Sequence, residues 1–383
     1  IATRRGGKHV EYVVKSVLSD FCEVAKKKAK LDVTTGMLKD SVVFFINSTI
    51  VNPSFDTQTK ETLTTPLAKW GSKPEISPKF CDQLIKIGLL DEAQAALDAK
   101  NARDTKKTDG KKRSTVRGIP KLEDATWAGT AKSDECTLIL TEGDSAASTA
   151  ISGLKVVGRE RYGVFPLRGK LLNVKEANLA KKNSNAELNQ IKQILGLEYG
   201  KKYTKLEQLR YGRVMIMTDQ DVDGSHIKGL LINLFHTEWP NLLKMGFLCC
   251  LMTPLLKVSK GTTTLSFYSQ QDYDVWFAGP EAAGGKGWKA KYYKGLGTST
   301  PAEAKEWFVN LAEVKYSNDE ATNEAITLAF SKEREDDRKE WLMAYDPTVQ
   351  VDTSGGDVAY NDFIHKELIH FSNADNIRSI PSL

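Results

Sequence analysis

Four apolar residues, Val214-Met215-Ile216-Met217, are followed by three alternating aspartates, Asp219, Asp221 and Asp223, and then by Gly224. No other stretch constrains the fold as strongly. The short β-compatible run predicts a buried strand. Ile227, Leu230, Leu231 and Leu234 recur at helical spacing, so a helix follows it, and Gly224 permits a sharp turn between the two. The acids then stand at the carboxyl end of a strand, where open α/β sheets bind ligands. Clustered carboxylates repel one another, and they remain ionised together most easily around a hard cation. Two other readings are a solvated turn and a calcium loop, which D-x-D-x-D-G would open. The calcium loop requires a bidentate Glu at its twelfth position, here Leu230, and a helix in place of the strand.

A catalytic Mg²⁺ site needs a further carboxylate, and the chain offers one. Thr137-Leu138-Ile139-Leu140-Thr141 predicts a second buried strand, ending at Glu142-Gly143-Asp144-Ser145 and a helix of small residues. If the two strands are neighbours in a parallel sheet, Glu142, Asp219, Asp221 and Asp223 converge on one edge. Asp144 or Ser145 is expected to cap the helix. Arg168 and Lys170 flank Gly169, a spacing that lets two cations approach a phosphate. Ser225, His226 and Lys228 occupy the first helical turn after the aspartates, and Lys294 opens the glycine-rich run Gly295-Leu296-Gly297. A metal ringed by Arg168, Lys170, Lys228 and Lys294 suits phosphoryl transfer. No G-x-x-x-x-G-K-[ST] loop, zinc pattern or dinucleotide fingerprint competes, and no convincing nucleophile stands out.

The remainder of the chain sets the context. Its 383 residues allow two or three domains, and a net charge of +5 with a pI near 8.7 leans toward an anionic partner. Five cysteines in no C-x-x-C pair suggest a reducing compartment, and no apolar run approaches a membrane span. Residues 8–30 predict an amphipathic core helix and residues 42–51 a strand. Ser77-Pro78 predicts a capped helix start. Residues 91–121 pass from Ala-rich to Lys/Arg-rich and predict a helix running into a flexible basic tether, with contact to a phosphate backbone as the other reading. Residues 257–267 predict a hairpin, residues 332–341 a charge-paired helix, residues 346–359 a loop and residues 360–371 a further helix. The chain looks like a piece of a longer protein.

Glu142-Gly143-Asp144-Ser145-Ala146 together with Asp219-Gln220-Asp221-Val222-Asp223-Gly224 resembles the Toprim domain of type IIA DNA topoisomerases. The runs 165–174, 225–233 and 291–300 resemble the eukaryotic topoisomerase II branch specifically. The resemblance implies an α/β fold: a Rossmann-like parallel Toprim sheet with flanking helices, preceded by the α+β end of a transducer domain. It implies a transducer part at 1–90, a basic helical linker at 91–134, Toprim with its extension at 135–345, and the lead-in to a winged-helix cleavage domain at 346–383. It further implies that Glu142 and Asp219 hold Mg²⁺ beside the scissile phosphate, with Asp221 and Asp223 on a second ion. Gln58 and Lys60 would belong to a loop reaching ATP held by a neighbouring domain. The family passes one DNA duplex through another as a nuclear homodimer, using a tyrosine that this chain would not contain. The alternatives are a DNA-binding module with a structural divalent ion, or another Toprim enzyme such as a nuclease or primase.

Overall fold

The structure is a computed structural model that describes residues 2–293, 295–309 and 311–379. It divides into two units, Ile1–Asp104 and Thr105–Leu383, with the helix Leu89–Thr108 spanning the division.

The first unit is built on the helix Lys8–Ala29, whose stripe of Leu18, Phe21 and Ala25 packs with Val33, Leu38, Leu89 and Ala93. The helix Pro78–Lys86 starts as expected: the Ser77 side chain accepts from the Phe80 amide, and proline occupies the first turn, where its missing N–H costs nothing. The strand expected at 42–51 does not form. Val43 is 81% and Phe45 96% exposed, and among the described residues no strand pairs with this stretch. The composition is strand-like, but a strand exists only with a hydrogen-bonding neighbour. Gln58 and Lys60 lie on an exposed turn closed by the Lys60 amide donating to the Thr57 carbonyl (3.1 Å).

The second unit contains β1 (Thr137–Glu142), β2 (Tyr162–Leu167), β3 (Arg213–Met217), β4 (Leu248–Leu251), β5 (Leu256–Lys260), β6 (Thr263–Phe267), β7 (Lys289–Tyr292), β8 (Glu313–Ser317) and β9 (Asp357–Ala359). Six form one sheet in the order β2-β1-β3-β4-β8-β9, parallel except where β8 runs antiparallel to β4. The expected hairpin is β5–β6, and β7 joins it in a separate three-stranded sheet. Segment 346–383 contributes β9 to the larger sheet and then a helical run ending with Ile369–Ser379.

Both faces of the large sheet are covered at β1, β3 and β4, which is why these strands are buried along nearly their whole length, whereas β8 toward the edge alternates buried Val314 and Tyr316 with exposed Lys315 and Ser317. Leu138, Leu140, Val214 and Ile216 face the helices Ala186–Leu195 and Val222–Glu238. Ile139, Met215 and Met217 face the helix Gly143–Val157 and Phe308. Small residues set how closely that last helix approaches. A Cβ on Gly153 would lie 2.2 Å from the Phe308 ring.

The basic stretch after the helix Leu89–Thr108 is no tether. The Gly110 amide donates to the Leu197 carbonyl (2.8 Å), and Arg210 Nε donates to the Arg113 carbonyl (2.6 Å). Asp109 pairs with Lys192 (3.1 Å). The composition suggested flexibility, but backbone hydrogen bonds to distant residues fix the path. Among the described residues no helix is long and apolar enough to cross a membrane.

Candidate metal centre

Parallel pairing brings the expected acids to one edge. Glu142 ends β1 opposite Leu167, one residue before Arg168, and Thr141 pairs with Met217, two residues before Asp219. β1 and β3 are direct parallel neighbours, and the order β2-β1-β3-β4 places the reversal of strand order between them. In open α/β sheets the crevice at such a switch point is where ligands bind. Gly143 turns the chain there with φ +74°, a left-handed conformation that costs an L side chain energy.

The Asp219 amide donates to Glu142 Oε2 at 3.4 Å. Burial, with repulsion from Asp219, pushes the Glu142 carboxyl above its ordinary value. Burial, with repulsion from Asp221, pushes Asp219 up as well, against the pull of an amide hydrogen bond. That amide belongs to Leu296, which donates to Asp219 Oδ1 at 2.7 Å. A Cβ on Gly295 would lie 2.6 Å from Asp219 Oδ2, so only glycine lets this backbone pass so close. The Gly295-Leu296-Gly297 loop is thus part of the site. Its glycine spacing was visible in the sequence, but its partner was not.

The four expected acids do not act alike. Asp221 is exposed and caps the helix Val222–Glu238 through the Gly224 amide (2.8 Å). Gly224 is therefore in the first helical turn; it is needed there because a Cβ would lie 2.2 Å from the Asp219 carbonyl oxygen. Asp223 pairs with Lys170 (2.9 Å) and Arg378 (3.3 Å), and its carboxyl is held below the ordinary range, first by the Lys170 hydrogen bond. Among the described residues no three acid, histidine or cysteine side chains close into a preformed metal cage. The donor chemistry nonetheless fits a hard cation at Glu142 and Asp219, with Asp221 beside them. Two neighbouring oxygen-donor side chains whose carboxyls burial and nearby acids push up are ones whose charge a divalent ion would relieve.

The expected cations divide too. Arg168 and Lys170 are exposed at the end of β2, and the Lys170 ammonium also lies 4.9 Å from the centre of the Phe371 ring. Of the two residues of the helix expected as phosphate contacts, Lys228 is interior and His226 is half-buried. His226 stacks on Phe371 with 3.8 Å between ring centres, and burial drives its pKa down to about 4. Lys228 is 3% exposed and forms an ion pair with Glu367, which also accepts from Ser225 Oγ (2.8 Å). Burial is the largest influence on Lys228 and disfavours its charge, but Glu367 and its neighbours together hold the ammonium above its ordinary value. A helix's first turn can face the core as readily as solvent, and only packing decided which. Glu367, Phe371 and Arg378 carried no sequence signal for these roles. Lys294 lies outside the described residues. Asp144 pairs with exposed Lys121 (2.6 Å), and no side chain caps the helix it opens.

The sheet order, the switch-point acids and the glycine loop define a Toprim domain, and comparison with known proteins agrees. Residues 137–247 match the Toprim domain, 251–376 the C-terminal associated domain of TOPRIM, and 1–112 DNA gyrase B. Over its whole length the chain is homologous to the Toprim-bearing segment of eukaryotic DNA topoisomerase 2. It is 50% identical to DNA topoisomerase 2-beta of Mus musculus, with all of this chain and 25% of the relative aligned. It is 47% identical to DNA topoisomerase 2 of Saccharomyces cerevisiae, with all of this chain and 27% of that protein aligned. The chain thus spans about a quarter of the length of the curated relatives it matches. A crystal structure of the Plasmodium falciparum topoisomerase II DNA-binding, cleavage and re-ligation domain superposes with a TM-score of 0.67. It is 48% identical and covers 70% of this chain and 37% of its own.

Proposed function

We propose that this chain is the Mg²⁺-binding half of a split active site in an ATP-dependent type II DNA topoisomerase that works as a nuclear homodimer. Glu142 and Asp219 hold the ion, with Asp221 beside them. Bound there, Mg²⁺ supplies the positive charge that polarises a phosphoryl oxygen and stabilises the leaving oxygen. The observation that carries the reading is the convergence of Glu142 and Asp219 at the switch point, where the Asp219 amide donates to Glu142 Oε2 at 3.4 Å and burial raises both carboxyls.

Arg168 and Lys170 position the DNA backbone from the neighbouring strand end. Lys170 exchanges its Asp223 partner for phosphate when DNA arrives. The Leu296 amide fixes the rotation of the Asp219 carboxylate, so one oxygen is already oriented before any ion binds. The nucleophile is a tyrosine supplied from outside these residues. Gln58 and Lys60 sense ATP held by a neighbouring domain, and Lys60→Ala is expected to slow DNA-stimulated ATP turnover while ATP-independent cleavage is retained.

The test is Asp219→Asn in the complete protein. Loss of an electrostatic stabiliser of this kind is expected to lower Mg²⁺-dependent DNA cleavage on the order of 100-fold. Unchanged cleavage by a normally folded variant would exclude a catalytic ion and favour a DNA-binding module with a structural one.

A further inference from the structure

The last turn of the helix Leu89–Thr108 and the basic stretch that follows it form the wall of an open cleft of about 350 Å³. Lys106, Lys111, Arg113 and Arg117 surround it with exposed side chains, Lys107 alongside. Among the described residues none of those first four cations forms an ion pair. One acid, Asp109, lines the cleft, and it is engaged by Lys192 Nζ (3.1 Å) and the Tyr199 amide (3.2 Å). The wall is held rigidly from beneath. Gly110 is anchored to Leu197, and a Cβ there would lie 2.1 Å from the Lys192 carbonyl oxygen. Arg210, fully buried, spends its guanidinium on the carbonyls of Arg113 and Ile194 (both 2.6 Å) and on Asp124.

Fixed backbone thus keeps like charges together that would otherwise spread apart, which creates a concave surface of positive potential. The lining residues include no aromatic side chain on which an unpaired base could stack. Lysine and arginine spaced along an open groove, without base-reading or stacking groups, match a duplex phosphate backbone.

The cleft also lies away from the acids. Arg210 precedes the start of β3, where the Arg213 amide donates to the Cys136 carbonyl just ahead of β1 (3.1 Å). Glu142 and Asp219 stand at the other ends of the same strands, and five residues of β3 span roughly 17 Å. We propose that the cleft is a second site for the phosphate backbone of duplex DNA, taking a stretch distinct from the one presented to Glu142 and Asp219. The proposal rests on the DNA-acting reading above.

The experiment measures binding of a fluorescent DNA duplex to the 383-residue chain by anisotropy over a salt series. Lys106, Lys111, Arg113 and Arg117 are all changed to Ala in one variant; a second carries Arg168→Ala with Lys170→Ala. Releasing four phosphate contacts is expected to lower the slope of log K against log salt by about 3.6. An Arg/Lys-exchanged version of the same four positions is expected to keep the parental slope, and Mg²⁺ binding is expected to be unchanged in both. A parental slope in the four-fold variant, with a reduced slope in the Arg168/Lys170 variant, overturns the cleft proposal and leaves the DNA-acting reading standing. If the unsubstituted chain fails to bind duplex at any salt, both fall. Loss of inorganic tripolyphosphate binding, with duplex binding intact, reassigns the cleft to small polyphosphates and overturns the proposal as well.

Discussion

Neutralising Asp219 separates what it costs to hold the acids together from what a metal returns. In Asp219→Asn the amide oxygen can still accept from the Leu296 amide, which now donates to Oδ1 at 2.7 Å, so the substitution removes charge and keeps the hydrogen bond. At a separation of roughly 5 Å and an effective dielectric of about 20, two carboxylates repel by about 3 kcal/mol. Both groups are only half-buried, and water at the sheet edge reduces this to about 1–2 kcal/mol. The variant should therefore be more stable than the parent in EDTA. In Mg²⁺ the order should reverse, because an ion at about one hundred times its Kd stabilises the parent by about 2.7 kcal/mol, more than the repulsion removed, and the variant hardly at all. Glu142 and Asp219 have raised folded-state values, so in EDTA the parent gains stability as pH falls through those values toward the ordinary 4.5 and 3.8. Urea denaturation followed by circular dichroism, in EDTA and in saturating Mg²⁺, measures both effects. A variant less stable than the parent in EDTA, or one that gains as much from Mg²⁺, would refute the argument that these two acids form the ion's seat.

Three further expectations concern neighbouring groups. Glu367→Ala leaves the buried Lys228 ammonium unpaired and should destabilise the second unit by about 3–5 kcal/mol, most of it recovered by adding Lys228→Met; denaturant midpoints decide this. Gly295→Ala would put a Cβ 2.6 Å from Asp219 Oδ2 and turn the carboxylate, so calorimetry should find Mg²⁺ affinity reduced about tenfold, and unchanged affinity would dissociate the loop from the site. Burial opposes the Glu303 charge, but hydrogen bonds from Lys291, Thr300 and Tyr293 hold its carboxyl down to about 2. Its contribution is present above its ordinary 4.5 and lost as pH falls toward 2, so Glu303→Gln should flatten acid unfolding across that window.

By itself the sequence settled what is local or repeated along the chain. The apolar runs at 137–141 and 214–217, the acids after them and the spacing of Leu18 and Phe21 each report a strand end or a helix face. Five motif runs in fixed order were enough to mark the family resemblance. What it could not fix was any property that needs a partner distant in the chain. Residues 42–51 have strand composition without a ladder to join. Lys228 looked like a surface cation until Glu367, far along the chain, received it inside the protein. Nothing local in the sequence announced that Asp223 would pair with Lys170 and with Arg378, far along the chain. The basic stretch looked flexible until Leu197 and Arg210 pinned it. Secondary structure follows from short-range sterics and periodicity, whereas burial and ion pairing are settled only when segments far apart meet, and that information lies in the tertiary packing.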